Sequence, residues 1–434
     1  MSSAKRPAPR PPRLAWAAMA LLLLTGPLTS VRGQESIRMS MASAQAAEAQ
    51  RLAATTIGYY NLKLGPTAWN FGTGLGVSYN SNVNSTESNP EGDIIFSPQI
   101  NTRMLWPVSE LNSINLSLSG GYSAYLKTSQ NDRAFIGPGS ELSFNLYTGD
   151  FWINLHDRFS ITENTYQNPS VANSGNYSQF QNALGVAPTW DLNKIIVKAG
   201  YDHVNYDSLS GGNGQSSGGQ PSGSSEVFSA SAGYALKPGM QLGLELGDSI
   251  INYSAAGTNY AYPNANQWNV GCFYDTPVSE YLHFTIHGGY TMYTPQSSGT
   301  TTSSSSSSSS GGMYVQINIT HRLNQYISYS LSGGRNLTTA FGGGATEQYF
   351  ALWGANWQIV RQVSLGTTFT YNHGTQLDVG GEIYDQYGPG ITLSRQITEK
   401  LSSSLSYQVY WRGSNEQGRN YTVNVVSLNL SYTF

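Results

Sequence analysis

The chain has 434 residues, 39% of them hydrophobic, 12% aromatic and only 11% charged, against about 25% charged in an average soluble domain. Its 22 Lys and Arg against 25 Asp and Glu leave no basic footprint for nucleic acid. Its single cysteine excludes a disulfide framework and any cysteine-held metal or iron–sulfur centre. This composition suits a surface that meets lipid in two-residue alternation, without a long apolar run.

Residues 1–33 read as a secretory signal. Lys5, Arg6, Arg10 and Arg13 form its charged start, Leu14 to Leu24 its apolar stretch, and Val31 and Gly33 are small enough for a cleavage site after Gly33. Residues 34–66 form a separate segment, Ala-rich from Ala42 to Ala54 and of good helix propensity. It is expected to be a short helix or arm at the periplasmic side or in the lumen.

Residues 67–434 repeat one pattern. A strand of period-2 alternation leads to a very short turn, a second strand follows, and then comes a longer loop rich in Gly, Ser and Asn. The short turns fall at 107–110, 148–150, 191–193, 237–239, 277–280, 322–324, 359–361 and 398–400, and the long loops near 81–91, 127–132, 163–177, 207–225, 254–265, 294–312, 337–346, 372–382 and 412–419. Eight turns and nine loops predict 18 strands. The expected fold is all-β, a transmembrane antiparallel up-and-down β-barrel with short periplasmic turns and long external loops, in the outer membrane of a Gram-negative bacterium.

The alternation assigns faces. In the last strand Val426, Leu428, Leu430, Tyr432 and Phe434 share one face, and Ser427, Asn429, Ser431 and Thr433 the other. Strands 114–126 and 313–320 divide the same way. The apolar set is expected to meet lipid and the polar set, rich in Ser, Thr, Asn and Gln, a wet lumen.

Trp106, Trp152, Trp190, Tyr281, Tyr326 and Trp357 flank short turns and are expected to form the periplasmic aromatic girdle. Tyr79, Tyr206, Tyr253, Tyr293, Tyr371 and Trp411 are expected to form the outer one. Cys272 alternates with Trp268, Val270 and Tyr274, which puts it on the lipid face. Asp157 and Asp248 project onto that face too, so either a bulge shifts the register or they lie near an interface.

Arg103, Glu141, His156, Arg158, Lys198, Asp202, Glu245, Asp275, His283, His287 and Arg322 project inward. A strongly selective ion pore would carry rings of one sign, whereas both signs are mixed here. Barrels of this strand number leave an aqueous channel. Inward tyrosines such as Tyr125, Tyr147, Tyr314 and Tyr410 offer rings for stacking on sugars. His283 and His287, four apart on one strand, point the same way but stand about 13 Å apart, so no metal site is expected. No cofactor is expected, and no catalytic residue: no serine sits in a nucleophile-elbow context beside a histidine, and Gly72-x-Gly74-x-Gly76 lies in a strand with no helix after it. The runs 303–310 and 211–225 are low-complexity solvated loops.

Two stretches carry a family resemblance. The terminal Leu430-Ser431-Tyr432-Thr433-Phe434 resembles the aromatic signal, with Tyr432 and Phe434 at its heart, that barrel-assembly machinery reads in outer-membrane proteins. Gly65-Pro66, the run from Gly72 to Val83, and Asp93-Ile94-Ile95-Phe96-Ser97-Pro98 resemble the opening of the β-barrel porin 2 group. That resemblance implies porin-like transport or a link to exopolysaccharide export. Alginate-exporting barrels, similar in strand count, line the lumen densely with arginine, which this chain does not. The leading expectation is passage of small hydrophilic solutes, including sugars. The alternatives are a polysaccharide exporter with periplasmic partners and a non-conducting adhesive barrel. Membrane lipid, the assembly machinery and a sugar or polysaccharide ligand are the expected partners.

Overall fold

In a computed structural model, described for residues 60–162, 178–209, 222–254, 264–296, 309–339, 345–377 and 381–434, the chain forms one continuous antiparallel sheet that closes on itself. The signal, most of the 34–66 segment and most of both low-complexity runs lie outside the described residues. A three-residue strand β1 (Leu62–Leu64) precedes the barrel. The 18 barrel strands are β2 (Thr67–Asn80), β3 (Asp93–Pro107), β4 (Ser113–Tyr125), β5 (Arg133–Thr148), β6 (Phe151–Thr162), β7 (Gln179–Asp191), β8 (Ile195–Ser208), β9 (Gly223–Lys237), β10 (Met240–Tyr253), β11 (Ala265–Pro277), β12 (Leu282–Pro295), β13 (Ser310–Arg322), β14 (Ile327–Thr339), β15 (Ala345–Val360), β16 (Val363–Gln376), β17 (Ile383–Gln396), β18 (Leu401–Ser414) and β19 (Tyr421–Thr433). Each pairs with its sequence neighbours, and β19 closes the ring on β2 from Val425 opposite Asn80 to Thr433 opposite Gly72. The expected strand number and topology are those observed.

The closure is staggered, so β2 extends past the end of β19. Its protruding edge is capped locally. The turn at Gly65, whose φ of 57° suits glycine, folds β1 back so that Leu62, Lys63 and Leu64 face Trp69, Ala68 and Thr67. The Asn61 amide completes the edge by donating to the Phe71 carbonyl (2.7 Å) and accepting from the Phe71 N–H (3.1 Å). The Phe434 N–H donates to the same carbonyl. An uncapped edge is a template for wrong pairing.

The faces invert the rule of soluble proteins. Outward Leu244 and Met313 are 68% and 73% exposed, while inward Glu245 is 1% exposed. Such an exterior meets hydrocarbon, where only a closed sheet satisfies every backbone group. Cys272 is exposed on this outward face. The small apolar clusters in the interior lie mostly near the long-loop end, as with Tyr410, Tyr421, Val423 and Val425.

Both lipid-face aspartates are in register. Asp157 stands between Leu142 and Leu184 and accepts a hydrogen bond from Asn182. Asp248 stands between Phe228 and Trp268. The bulge considered for them lies elsewhere, between Ser117 and Gly120 and between Ile136 and Ser140. There Gly139 takes a φ of 94°, and the Ser140 hydroxyl donates to the Gly137 carbonyl at 2.9 Å.

The Asn61→Ala variant loses both bonds to Phe71. It is expected to cost about 1–3 kcal/mol and to lower the urea midpoint of the folded-barrel band in unheated gel electrophoresis. An unchanged midpoint would show that the seam needs no cap.

Candidate functional site

The site is the inward wall. Alternate residues of every strand point there, and the charged ones divide the wall in two. Strands β3 to β13 carry Arg103, Glu141, His156, Arg158, Lys198, Asp202, Glu245, Asp275, His283, His287 and Arg322 on inward positions. From β14 through β19 and on to β2, the inward positions below Arg412 carry Ser, Thr, Asn, Gln, Gly and a few apolar residues, without a charge. A neutral hydroxyl and amide wall therefore faces a charged one.

Eight of these eleven residues stand in four pairs. His156 Nε2 lies 2.7 Å from Asp202 Oδ1, His283 Nε2 2.7 Å from Asp275 Oδ1 and His287 Nδ1 2.8 Å from Glu245 Oε2. Arg158 Nε approaches Glu141 Oε2 at 3.3 Å. His283 and His287 are thus taken up by different carboxylates and do not converge.

Glycines let these long side chains lie flat. His156, Gly185 and Asp202 stand side by side on β6, β7 and β8, and a Cβ on Gly185 would meet Asp202 Oδ1 at 2.4 Å and His156 Nε2 at 2.7 Å. Glu245, Gly271, Gly289 and Tyr314 form a second such row across β10 to β13. The Tyr314 ring crosses both glycines and its hydroxyl donates to Glu245 Oε1 at 2.5 Å. A Cβ on Gly271 would stand 2.0 Å from that hydroxyl. Phe273 stacks on His287 with ring centroids 5.7 Å apart. These side chains lie along the wall, and inward Arg103 and Asn429 are exposed.

At the long-loop end one hairpin turns inward and the next loop is tied down by a buried carboxylate. Strand β14 leaves β13 after Arg335 pairs with Val315, yet keeps its pairing with β15 as far as Thr339 and Ala345. The end of this hairpin turns inward, and Leu337 and Ala345 pack on Ile251, Ala265 and Tyr293 of β10 to β12. Gln267 Nε2 donates to the Leu337 carbonyl at 3.1 Å. Where the ladder ends, the Arg335 guanidinium donates to the Met313 carbonyl. In the next loop, between β16 and β17, the carboxylate of Glu382 accepts from Arg412 Nη2 (2.6 Å), Ser414 Oγ (2.6 Å) and Arg419 Nε (2.8 Å), and Arg412 lies 4.7 Å over the Tyr384 ring. Burial pushes the Glu382 carboxyl up, but the Arg412 charge and these hydrogen bonds outweigh it and hold it below the usual carboxylate range.

The aromatic expectations divide. Trp106, Trp190 and Trp357 face outward, 39%, 39% and 48% exposed, and Phe151 stacks on Trp190 at 5.1 Å. Tyr281 and Tyr326 stand exposed in turns. Trp152 does not join this girdle. It shares the inward face with Asn154 and His156, paired with inward Tyr147. At the other end Tyr79, Tyr371 and Trp411 face outward, whereas Tyr206, Tyr253 and Tyr293 are inward. Tyr206 and Tyr293 are buried there. Tyr432 and Phe434 pack edge to face at the seam, 5.3 Å apart.

No protein-family model matches the chain, and no curated protein matches its sequence. Among solved structures it is similar in shape to OccAB3 of Acinetobacter baumannii (10% identity, TM-score 0.46, 84% of this chain and 99% of that one) and to OccK2 of Pseudomonas aeruginosa in complex with glucuronate (10%, 0.48, 86% and 99%). A third is OpdK of Pseudomonas aeruginosa with vanillate (10%, 0.47, 84% and 98%). The likeness is one of barrel architecture, and no side chain is carried across from it. The class is thus set by the chain's own geometry, a closed 18-stranded membrane barrel with a polar interior.

Two outcomes test this wall. Gly271→Val displaces Tyr314 and takes the hydroxyl donor from a buried carboxylate, a loss of about 1–3 kcal/mol expected in the unfolding midpoint, together with a smaller single-channel current as the ring swings inward. Because the folded carboxyl of Glu382 is depressed, the stabilisation it lends the loops is present above the unfolded value of about 4.3 and is lost as pH falls through the folded value. Protease cleavage of the loops on either side of Glu382 is expected to accelerate below about pH 4 in wild type and to be fast at every pH in Glu382→Gln.

Proposed function

We propose that the barrel is a porin-like channel of the outer membrane for small hydrophilic solutes, its short turns in the periplasm and its long loops outside. One observation carries this reading. Residues that point into a closed barrel, Arg103 and Asn429 among them, are exposed, while the opposite face is predominantly apolar. Closure satisfies the backbone in lipid, and the wall lends polar solutes hydroxyl, amide and paired-charge groups to exchange for water. The inward-turned end of the β14–β15 hairpin supports a sieve at the mouth.

Neutral oligosaccharides are the finer proposal. The uncharged half of the wall and the pairing of charges on the other half favour a solute with many hydroxyls and no net charge. A link to exopolysaccharide export rests on the resemblance of residues 65–98 to the β-barrel porin 2 group. For such export the wall favours a neutral polymer, since its inward arginines are spread over separate strands.

The test is conductance of the folded protein in a planar bilayer. Stable current steps are expected, with a small reversal potential in a salt gradient because both signs line the wall, and with partial block by a neutral oligosaccharide. Folded protein that passes no current would retire the channel reading in favour of a plugged, adhesive barrel.

A further inference from the structure

Among the inward phenylalanine, tyrosine and tryptophan rings of the described barrel strands, Tyr147 alone is more than a third exposed, at 44%. Of the others, Tyr206, Phe273, Tyr293, Tyr314, Phe350, Tyr384, Tyr410 and Tyr421 are buried against the wall, and Tyr125, Phe135, Trp152 and Tyr253 are half-buried. Tyr147 does not stand alone. It is the direct cross-strand partner of Trp152 across the short Gly149-Asp150 turn, with ring centroids 6.0 Å apart and planes within 10° of parallel. The pair forms one aromatic step at the short-turn end of the lumen, near its exit.

Polar groups of a particular kind surround the step. Asn145 and Asn154 face each other two residues deeper, with Asn154 Nδ2 donating to Asn145 Oδ1 at 2.8 Å. Asn154 Oδ1 in turn meets His156 Nδ1 at 2.8 Å. Thr189 lies beside Trp152, and Lys198 beside Thr189. The Trp152 Nε1 donor is buried without a hydrogen-bond partner, so no hydrogen bond ties the indole to the wall.

We propose that Tyr147 and Trp152 form a saccharide-stacking subsite at the periplasmic end of the lumen. A pyranose ring presents an apolar face of C–H bonds and a rim of hydroxyls that both donate and accept. The aromatic step matches the face and the amides match the rim, the division of labour usual in small-molecule sites. This rests on the channel reading above and adds the place where a sugar pauses before release.

The experiment uses the membrane-extracted protein in planar bilayers, with maltohexaose and cellohexaose added to one side at a time and polyethylene glycol of equal mass as the comparison. Block is read as a fraction of each variant's own open current. Wild type is expected to be blocked by at least one hexasaccharide, with faster onset from the short-turn side. In Trp152→Ala and Tyr147→Ala the half-blocking sugar concentration is expected to rise about tenfold or more, the loss of one ring contact. Trp152→Phe is expected to stay within about threefold, and block by the polymer to be the same in all. Sugar block unchanged in both alanine variants overturns the subsite and leaves the channel reading standing, and so does open current that neither hexasaccharide blocks. Absence of current from wild type shown to be folded overturns the channel reading itself. If Trp152→Ala does not fold, Tyr147→Ala against Trp152→Phe carries the same comparison.

Discussion

Everything in this molecule follows from the backbone having to satisfy its hydrogen bonds where no water is available. A sheet in lipid cannot keep an edge, so β19 must find β2, and all side-chain choices are made around that ring. The closure is also where the sheet is least regular. The staggered ends leave a stretch of β2 without a strand beside it, and a three-residue hairpin with one asparagine amide finishes the ladder. Asn61 makes there the two bonds that a strand residue would have made.

A closed ring turns the usual partition inside out. The interior is polar, so its long side chains need a reason not to fill the lumen. Rows of glycine supply one. Tyr314 reaches Glu245 over two strands that have no Cβ beneath it, and His156 reaches Asp202 over one. These networks lie against the wall, and the sheet's own shape becomes the shape of the lumen. The neutral half of the wall uses the same device under its rings, Tyr384 over Gly374 and Tyr410 beside Gly388, and its other residues are mostly short. The mouth departs from this rule, since β14 abandons its ladder and the hairpin end packs across the interior instead.

Much of this was legible in the residues. Strand number, turn and loop alternation, and the inward or outward direction of Arg103, His156, Glu245 or Leu428 are local properties, since a side chain's face follows from counting by two. The same count also placed Trp152 inward, with His156 and Arg158. Reading it as a girdle residue from its nearness to a turn set habit against parity, and parity prevailed. Tyr206, Tyr253 and Tyr293 were misplaced for the same reason, a strand-end aromatic being taken as an interfacial one. The outward register of Asp157 and Asp248 was legible too, and Asn182 shows how one of them is held there without a bulge.

The sequence by itself determined a barrel of 18 strands with a polar inside, because alternation and punctuation are short-range and accumulate without reference to any distant residue. Only the tertiary structure decided which inward groups a solute can reach. That depends on the stagger between neighbouring strands, which sets whether Tyr314 lands on a glycine or on a side chain, and whether Tyr147 is covered or bare. The stagger is fixed by closing the ring, and no window of neighbouring residues contains it.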